Sequence, residues 1–167
     1  TILAEEPRLA YDRVHLTEYF SGKSAKDLTL CRSDFADAYG IDLRLNTKAT
    51  EVDTLNKTIT INHGDVIGYD KLVLATGSYA FVPPIPGNER ENCFVYRTIE
   101  DLDAIRAASL NAKTGVVIGG GLLGLEAAKA LRDLNLETHV VEFAPRLMAV
   151  QIDDLGGKVL RAKIENL

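Results

Sequence analysis

Val116-Val117-Ile118-Gly119-Gly120-Gly121-Leu122-Leu123-Gly124-Leu125-Glu126 is the stretch on which the fold turns. Three β-branched residues run into glycine, which reads as a buried strand ending in a tight turn. Residues 119–124 then fit G-x-G-x-x-G. In that pattern Gly119 permits the turn out of the strand, Gly121 lets the backbone approach a pyrophosphate, and Gly124 lets a helix pack closely on the strand. Leu122 to Leu134 is the Ala/Leu-rich helix that should follow, and its free N–H groups and positive dipole end suit phosphate. Thr138 to Glu142 reads as a second strand. Lys113 to Glu142 is therefore a βαβ unit that grips a dinucleotide. Glu142 lies 21 residues after Gly121, close to the offset of about 20 at which such units place a ribose-binding acid. A carboxylate there accepts bonds from the ribose hydroxyls and repels a 2′-phosphate, so the expected ligand is NAD(H), with NADH preferred over NADPH. The binding set in this unit is Gly119, Gly121, Leu122, Leu123, Gly124 and Glu142. The alternative is a glycine turn that serves packing alone, with Glu142 facing solvent. Arg146, just beyond, is the residue that would soften the discrimination by reaching a 2′-phosphate.

Outward from this unit, Ile152 to Leu167 is predicted to be a helix with Leu155, Val159, Leu160 and Ile164 on one face. Gly156 and Gly157 weaken it by up to ~1 kcal/mol each if they lie in its interior. Thr98 should start a helix, with Asp101 completing a short-armed capping box. Val82 to Gly87 holds three prolines and must be irregular or extended. Lys71 to Ala75 is an apolar run expected to be a strand in a buried parallel sheet, ending at Thr76-Gly77. Thr50–Asp53, Thr58–Ile61 and Val66–Tyr69 read as short strands, separated by turn-forming residues at 54–57 and at 62–65. Ile41 to Leu45 alternates as a strand does. Ser33 is an N-cap candidate for a helix over Asp34–Tyr39, with Gly40 at its stop. Ser24–Leu30 should be a short helical turn and Leu16–Phe20 a short amphipathic helix. Thr1–Ala4 reads as the tail of a buried strand.

The 167 residues suffice for one ordinary domain or two small ones. Hydrophobic residues make up 46% and charged residues 26%, the balance of a soluble globular protein. A net charge of −5 with no basic patch argues against nucleic acid. No apolar run approaches the ~18 residues of a membrane span, and no signal peptide is visible. Cys31 and Cys93 lie far apart in no CxxC-like cluster, so they suggest neither a metal site nor a redox pair. Two free thiols fit a cytoplasmic protein.

Several segments together resemble a known family. Tyr11-Asp12-Arg13, the run Tyr69–Gly77, Tyr96–Asp101 and the glycine loop are similar to the FAD/NAD(P)-dependent pyridine nucleotide oxidoreductases, which include ferredoxin and rubredoxin reductases. More narrowly, Glu5–Leu16, Phe94–Arg97 and Glu137–Pro145 resemble the large subunits of assimilatory NAD(P)H-nitrite reductases. The resemblance runs over essentially the whole chain. It implies an α/β fold: a partial two-dinucleotide flavoprotein reductase of Rossmann-like βαβ units and a β-meander, truncated at both ends. Residues 1–96 would be a partial FAD-binding domain lacking its first βαβ unit. Residues 97–167 would be the N-terminal part of an NAD(P)-binding domain.

The same resemblance implies roles. Glu5 would bind the FAD ribose. Arg13 would face the flavin or its phosphates, unless it is a surface cation. Ala49 would meet the adenine through its backbone. Thr76 and Gly77 would pass the FAD phosphates, or form only a strand-ending turn. Glu126, one turn into its helix, would lie near the nicotinamide and flavin, although the helix dipole alone also stabilises a carboxylate there. Tyr11 and His15 would lie near the flavin. Glu6 to Phe20 holds no redox cysteine, so electrons should pass from NADH through FAD to a metal centre in the same or a partner chain, with no protein thiol and no catalytic side chain. Iron–sulfur and sirohaem groups would belong to a part of the enzyme outside this sequence. The chain itself is expected to be inactive in nitrite reduction and unable to hold FAD tightly. The expected surroundings are small-molecule cofactors, no nucleic acid, no membrane, and a possible homo-oligomer. Two other readings remain at this point: a ferredoxin or rubredoxin reductase-type flavoenzyme, and a non-catalytic nucleotide-binding redox module.

Overall fold

A strand exists only where a neighbour completes its hydrogen bonds, and in the computed structural model that condition decides which predicted strands form. Residues 1–62 and 64–167 are described; His63, in the predicted 62–65 turn, lies outside them. The chain divides into two compact units, one built of Thr1–Asp12 and Ala25–Ser78, the other of Arg13–Ser24 and Tyr79–Leu167.

In the first unit, β1 (Ile2–Leu3) pairs in parallel with β2 (Leu43–Arg44). The alternating run Ile41–Leu45 forms a ladder over only these two residues, because its partner is equally short. The helix α1 (Phe35–Ala38) is a single turn. Asp34 rather than Ser33 takes its N-cap position and makes no capping bond, since its carboxylate is forked by Arg32 at 2.9 and 2.6 Å. Gly40 follows at φ +61°, the left-handed conformation that ends helices. The predicted meander is present as antiparallel β3 (Ala49–Asp53), β4 (Thr58–Ile61) and β5 (Asp65–Gly68). Ile59 and Ile61 point inward from β4 and are buried. The Asp53 carboxylate organises the first turn by accepting the N–H groups of Leu55 and Asn56, and Lys57 closes it at φ +52°.

Lys71–Ala75 departs from expectation. It forms no strand, and Val73 and Leu74 are 86% and 68% exposed. Among the described residues nothing pairs with it, so its apolar character has no sheet to enter.

In the second unit, a 3-10 turn at Leu16–Tyr19 replaces the predicted amphipathic helix and buries Leu16 and Tyr19. It is tied to α2 (Ile99–Ser109). The Tyr19 hydroxyl donates to Asp103 at 2.5 Å, and Arg106 donates to the Tyr19 carbonyl at 2.7 Å while lying over the Tyr19 ring. The capping box forms as read: Thr98 Oγ1 accepts from the Asp101 amide and the Asp101 carboxylate accepts from the Thr98 amide. Behind it Ile99 and Leu102 are wholly buried.

The βαβ unit consists of β6 (Thr114–Ile118), α3 (Leu122–Asp133) and β7 (Glu137–Val141), its strands parallel and in continuous register from Thr114↔Glu137 to Ile118↔Val141. The helix packs so closely that a methyl group on Gly115 would come within 2.7 Å of Leu131 Cδ1. Val116–Ile118 is not buried throughout, as its composition suggests. α3 packs on one face of the two-stranded sheet, and Val116 and Ile118 on the other are 58% and 62% exposed. The last helix, α4 (Asp154–Glu165), is capped by Asp153, whose carboxylate accepts the Gly156 amide.

Candidate dinucleotide site

The turn out of β6 is built from glycines with different duties. Gly119 stands at φ +115°, a conformation side chains resist, and its N–H extends the parallel ladder to the Val141 carbonyl at 2.8 Å. At Gly124 a Cβ would collide with the Gly119 carbonyl, so packing alone demands glycine. Gly121 is the opposite case. It is the N-cap of α3 with no side-chain cap, and a Cβ there would meet no protein atom within 4 Å. Packing does not ask for glycine at 121. The uncapped N–H groups of a 12-residue helix begin beside it, a donor array suited to a phosphate. Leu122 and Leu123 follow with exposed side chains.

Glu142 stands just past β7, and its carboxylate is held from both sides. Oε2 accepts the Gly120 N–H at 2.5 Å and Oε1 the Ala144 N–H at 2.7 Å. These amides, Ala144 first, then Gly120 and Phe143, lower its pKa, because hydrogen bonds to the ionised form favour it. The carboxylate is therefore fixed in position and charged, while keeping lone pairs for further donors.

Sequence reading missed the residues that build this support. Gly120, an unspecified position of the motif, is buried. A methyl group on it would overlap Leu147 and lie 3.1 Å from Glu142 Cβ. Its carbonyl accepts the Met148 N–H at 2.9 Å, and Met148 turns at φ +52° to reach it. The signal available in sequence was the run of three glycines where the motif requires two.

Glu126 is half-buried on α3. Its charge is felt by Tyr96, whose phenol pKa is raised first by burial; the bond to Thr17 opposes this, and Glu126 and Asp133 add to it. Arg13 donates to the Arg97 carbonyl at 3.0 Å. In the first unit, Glu5 is exposed and pairs with Lys48 at 2.8 Å. Ala49 opens β3 opposite Ile61, at a register shift. Thr76 and Gly77 are exposed, with Gly77 at φ +67°. Thus Gly119, Gly121, Leu122, Leu123, Gly124 and Glu142 are gathered at one turn, while Glu5, Ala49, Thr76 and Gly77 belong to the other unit.

No helix among the described residues is long and apolar enough to cross a membrane, and among them no group of three or more His, Cys, Asp or Glu could hold a metal ion.

Residues 1–167 match the pyridine nucleotide-disulphide oxidoreductase family. A nitrite reductase (NAD(P)H) large subunit from Klebsiella oxytoca is 57% identical over 99% of this chain and 17% of its own length. The nitrite reductase (NADH) large subunit of Escherichia coli strain K12 is 52% identical over 100% of this chain and 20% of its own length. Among solved structures, NADH:rubredoxin oxidoreductase from Clostridium acetobutylicum superposes with a TM-score of 0.90 at 28% identity, over 98% of this chain and 44% of that one. The chain thus spans about a fifth of the length of these curated relatives.

Proposed function

The chain belongs to the pyridine nucleotide-disulphide oxidoreductase family, and on that premise we propose that it supplies the NADH grip of a flavoprotein that passes electrons from NADH through FAD to a metal-centre acceptor, as the large subunit of a nitrite reductase. The observation that carries this reading is the turn at Gly119–Gly124, with Glu142 fixed beside it on the Gly120 and Ala144 amides. Gly121 leaves the backbone bare where a pyrophosphate would lie, and the α3 N-terminus offers it donors. Glu142, ionised and held on two backbone amides, accepts from ribose hydroxyls and disfavours a 2′-phosphate, so NADH is the preferred cofactor.

Glu5, Arg13, Ala49, Thr76 and Gly77 are assigned to FAD by resemblance, with Glu126 between the two cofactors. Division by ligand places the boundary at 96/97. It differs from the packing units, which join both Arg13–Ser24 and residues 79–96 to the second. When bound, nicotinamide and flavin supply hydride and electron transfer. The chain's own residues bind and orient, and none is assigned a covalent step. The acceptor is a redox metal centre in the same or a partner chain. Half-buried Cys31 and exposed Cys93, both free, suit the reducing cytoplasm.

A direct test is calorimetric titration of NADH into the chain. Glu142→Ala should weaken binding about tenfold or more, the scale of losing a charge-assisted hydrogen bond; unchanged affinity would remove Glu142 from the site. The resemblance to NADH:rubredoxin oxidoreductase favours a second reading, a rubredoxin reductase-type enzyme. Assaying the full-length gene product with nitrite and with rubredoxin separates the two.

A further inference from the structure

We propose that Arg146 sets cofactor choice by being withheld. It is clasped inside the loop after Glu142, so that its charge does not serve a 2′-phosphate. The inference rests on the dinucleotide reading of this site and goes beyond the role of Glu142.

An arginine shortly after the second strand of a dinucleotide-binding unit is the residue type that accommodates the phosphate of NADP. Arg146 lies four residues past Glu142, and its neighbour Leu147 packs against the same glycine, Gly120, that holds the Glu142 carboxylate. Its guanidinium is nevertheless committed elsewhere. Nε donates to the Ile152 carbonyl at 3.2 Å, Nη2 to the Ala149 carbonyl at 3.1 Å, and Nη1 to Asp154 Oδ1 at 2.7 Å. This engages one N–H on each of the three guanidinium nitrogens, a spread of donors that the single ammonium nitrogen of lysine does not have.

Helix α4 is shaped to receive it. Gly157, which sequence alone marks only as a weak point, is buried beneath the Arg146 stem; a Cβ there would lie 3.0 Å from Arg146 Cδ and 3.2 Å from its Cβ. Glycine in a helix interior costs about 1 kcal/mol relative to alanine, and here it makes the seat. Asp154, the charged acceptor, stands in the first turn of the same helix. Clasp and grip are joined through Met148, which lies within the clasped loop and donates its N–H to the Gly120 carbonyl.

The test is to titrate NADH and NADPH, by calorimetry, into the wild-type chain, Gly157→Ala, Asp154→Ala and the double variant Gly157→Ala/Arg146→Ala. The wild type should prefer NADH. Gly157→Ala presses on the stem, which must give by a few tenths of an ångström, while improving helix propensity. Asp154→Ala removes an acceptor that is 83% exposed and leaves the packing intact. Each should raise the NADPH-to-NADH affinity ratio, toward about tenfold where the guanidinium reaches the phosphate, and the double variant should lose that gain. An unchanged ratio in both single variants, or an equal rise in the double variant, overturns the proposal. So does a wild type that binds NADPH as tightly as NADH. A wild type that binds neither overturns the dinucleotide reading itself, and this inference with it.

Discussion

The carboxylate of Glu142 is the side chain on which the proposed dinucleotide reading most depends. Its position in the sequence was readable, because the offset from Gly121 reflects the length of one helix and one strand. Its support was not, because Gly120, Ala144 and Met148 meet it only through the folded loop. The support has a pH signature. The Ala144 and Gly120 amides hold its pKa below the ordinary value of 4.5. A depressed carboxylate keeps its charge-dependent contribution above the ordinary pKa and loses it as pH falls through the lowered one. NADH affinity that depends on this charge should stay flat on acidification to about pH 5 and decline only below the normal carboxylate range. Calorimetric titrations across that range check it, and a decline centred near pH 6 would point to another group.

At the scale of elements, what is local in sequence was legible. The Thr98–Asp101 capping box spans three residues and formed as read. Thr98→Ala should destabilise the chain by about 1 kcal/mol, seen as a lower urea midpoint with the slope unchanged. The meander and the βαβ unit were likewise recovered within a residue or two at their ends, because alternation, turn residues and glycine punctuation act over short spans. The two failures among the strands share one cause. Lys71–Ala75 was apolar enough for a buried strand and Val116–Ile118 for a two-sided one, but strand formation and burial depend on neighbours that composition does not specify. α4 failed in a more instructive way: Gly157 read as a defect in a helix, and the structure makes it the seat of Arg146.

Across the whole molecule, an acidic surface coexists with exposed apolar side chains. Val116, Ile118 and Val141 line an open sheet face, Phe143 is fully exposed, and Leu155 and Val159 on α4 are more than half exposed. Large apolar exposure favours association, and charge is what opposes it. With a sequence pI near 5.2, light scattering at fixed concentration should peak near that pH and fall as the chain regains its net charge of −5 at pH 7. A flat profile would show that these faces do not associate.

The sequence alone determined the family, the α/β class, the glycine loop and the acid at the end of the second strand. Each is written in short-range pattern: period, turn chemistry and the spacing of one βαβ unit. Only the tertiary structure decided which strands found partners, which sheet face lay open, and where Arg146 sends its charge. Those outcomes depend on groups distant in sequence or turned by loop geometry, and no local pattern records where a guanidinium will find three acceptors.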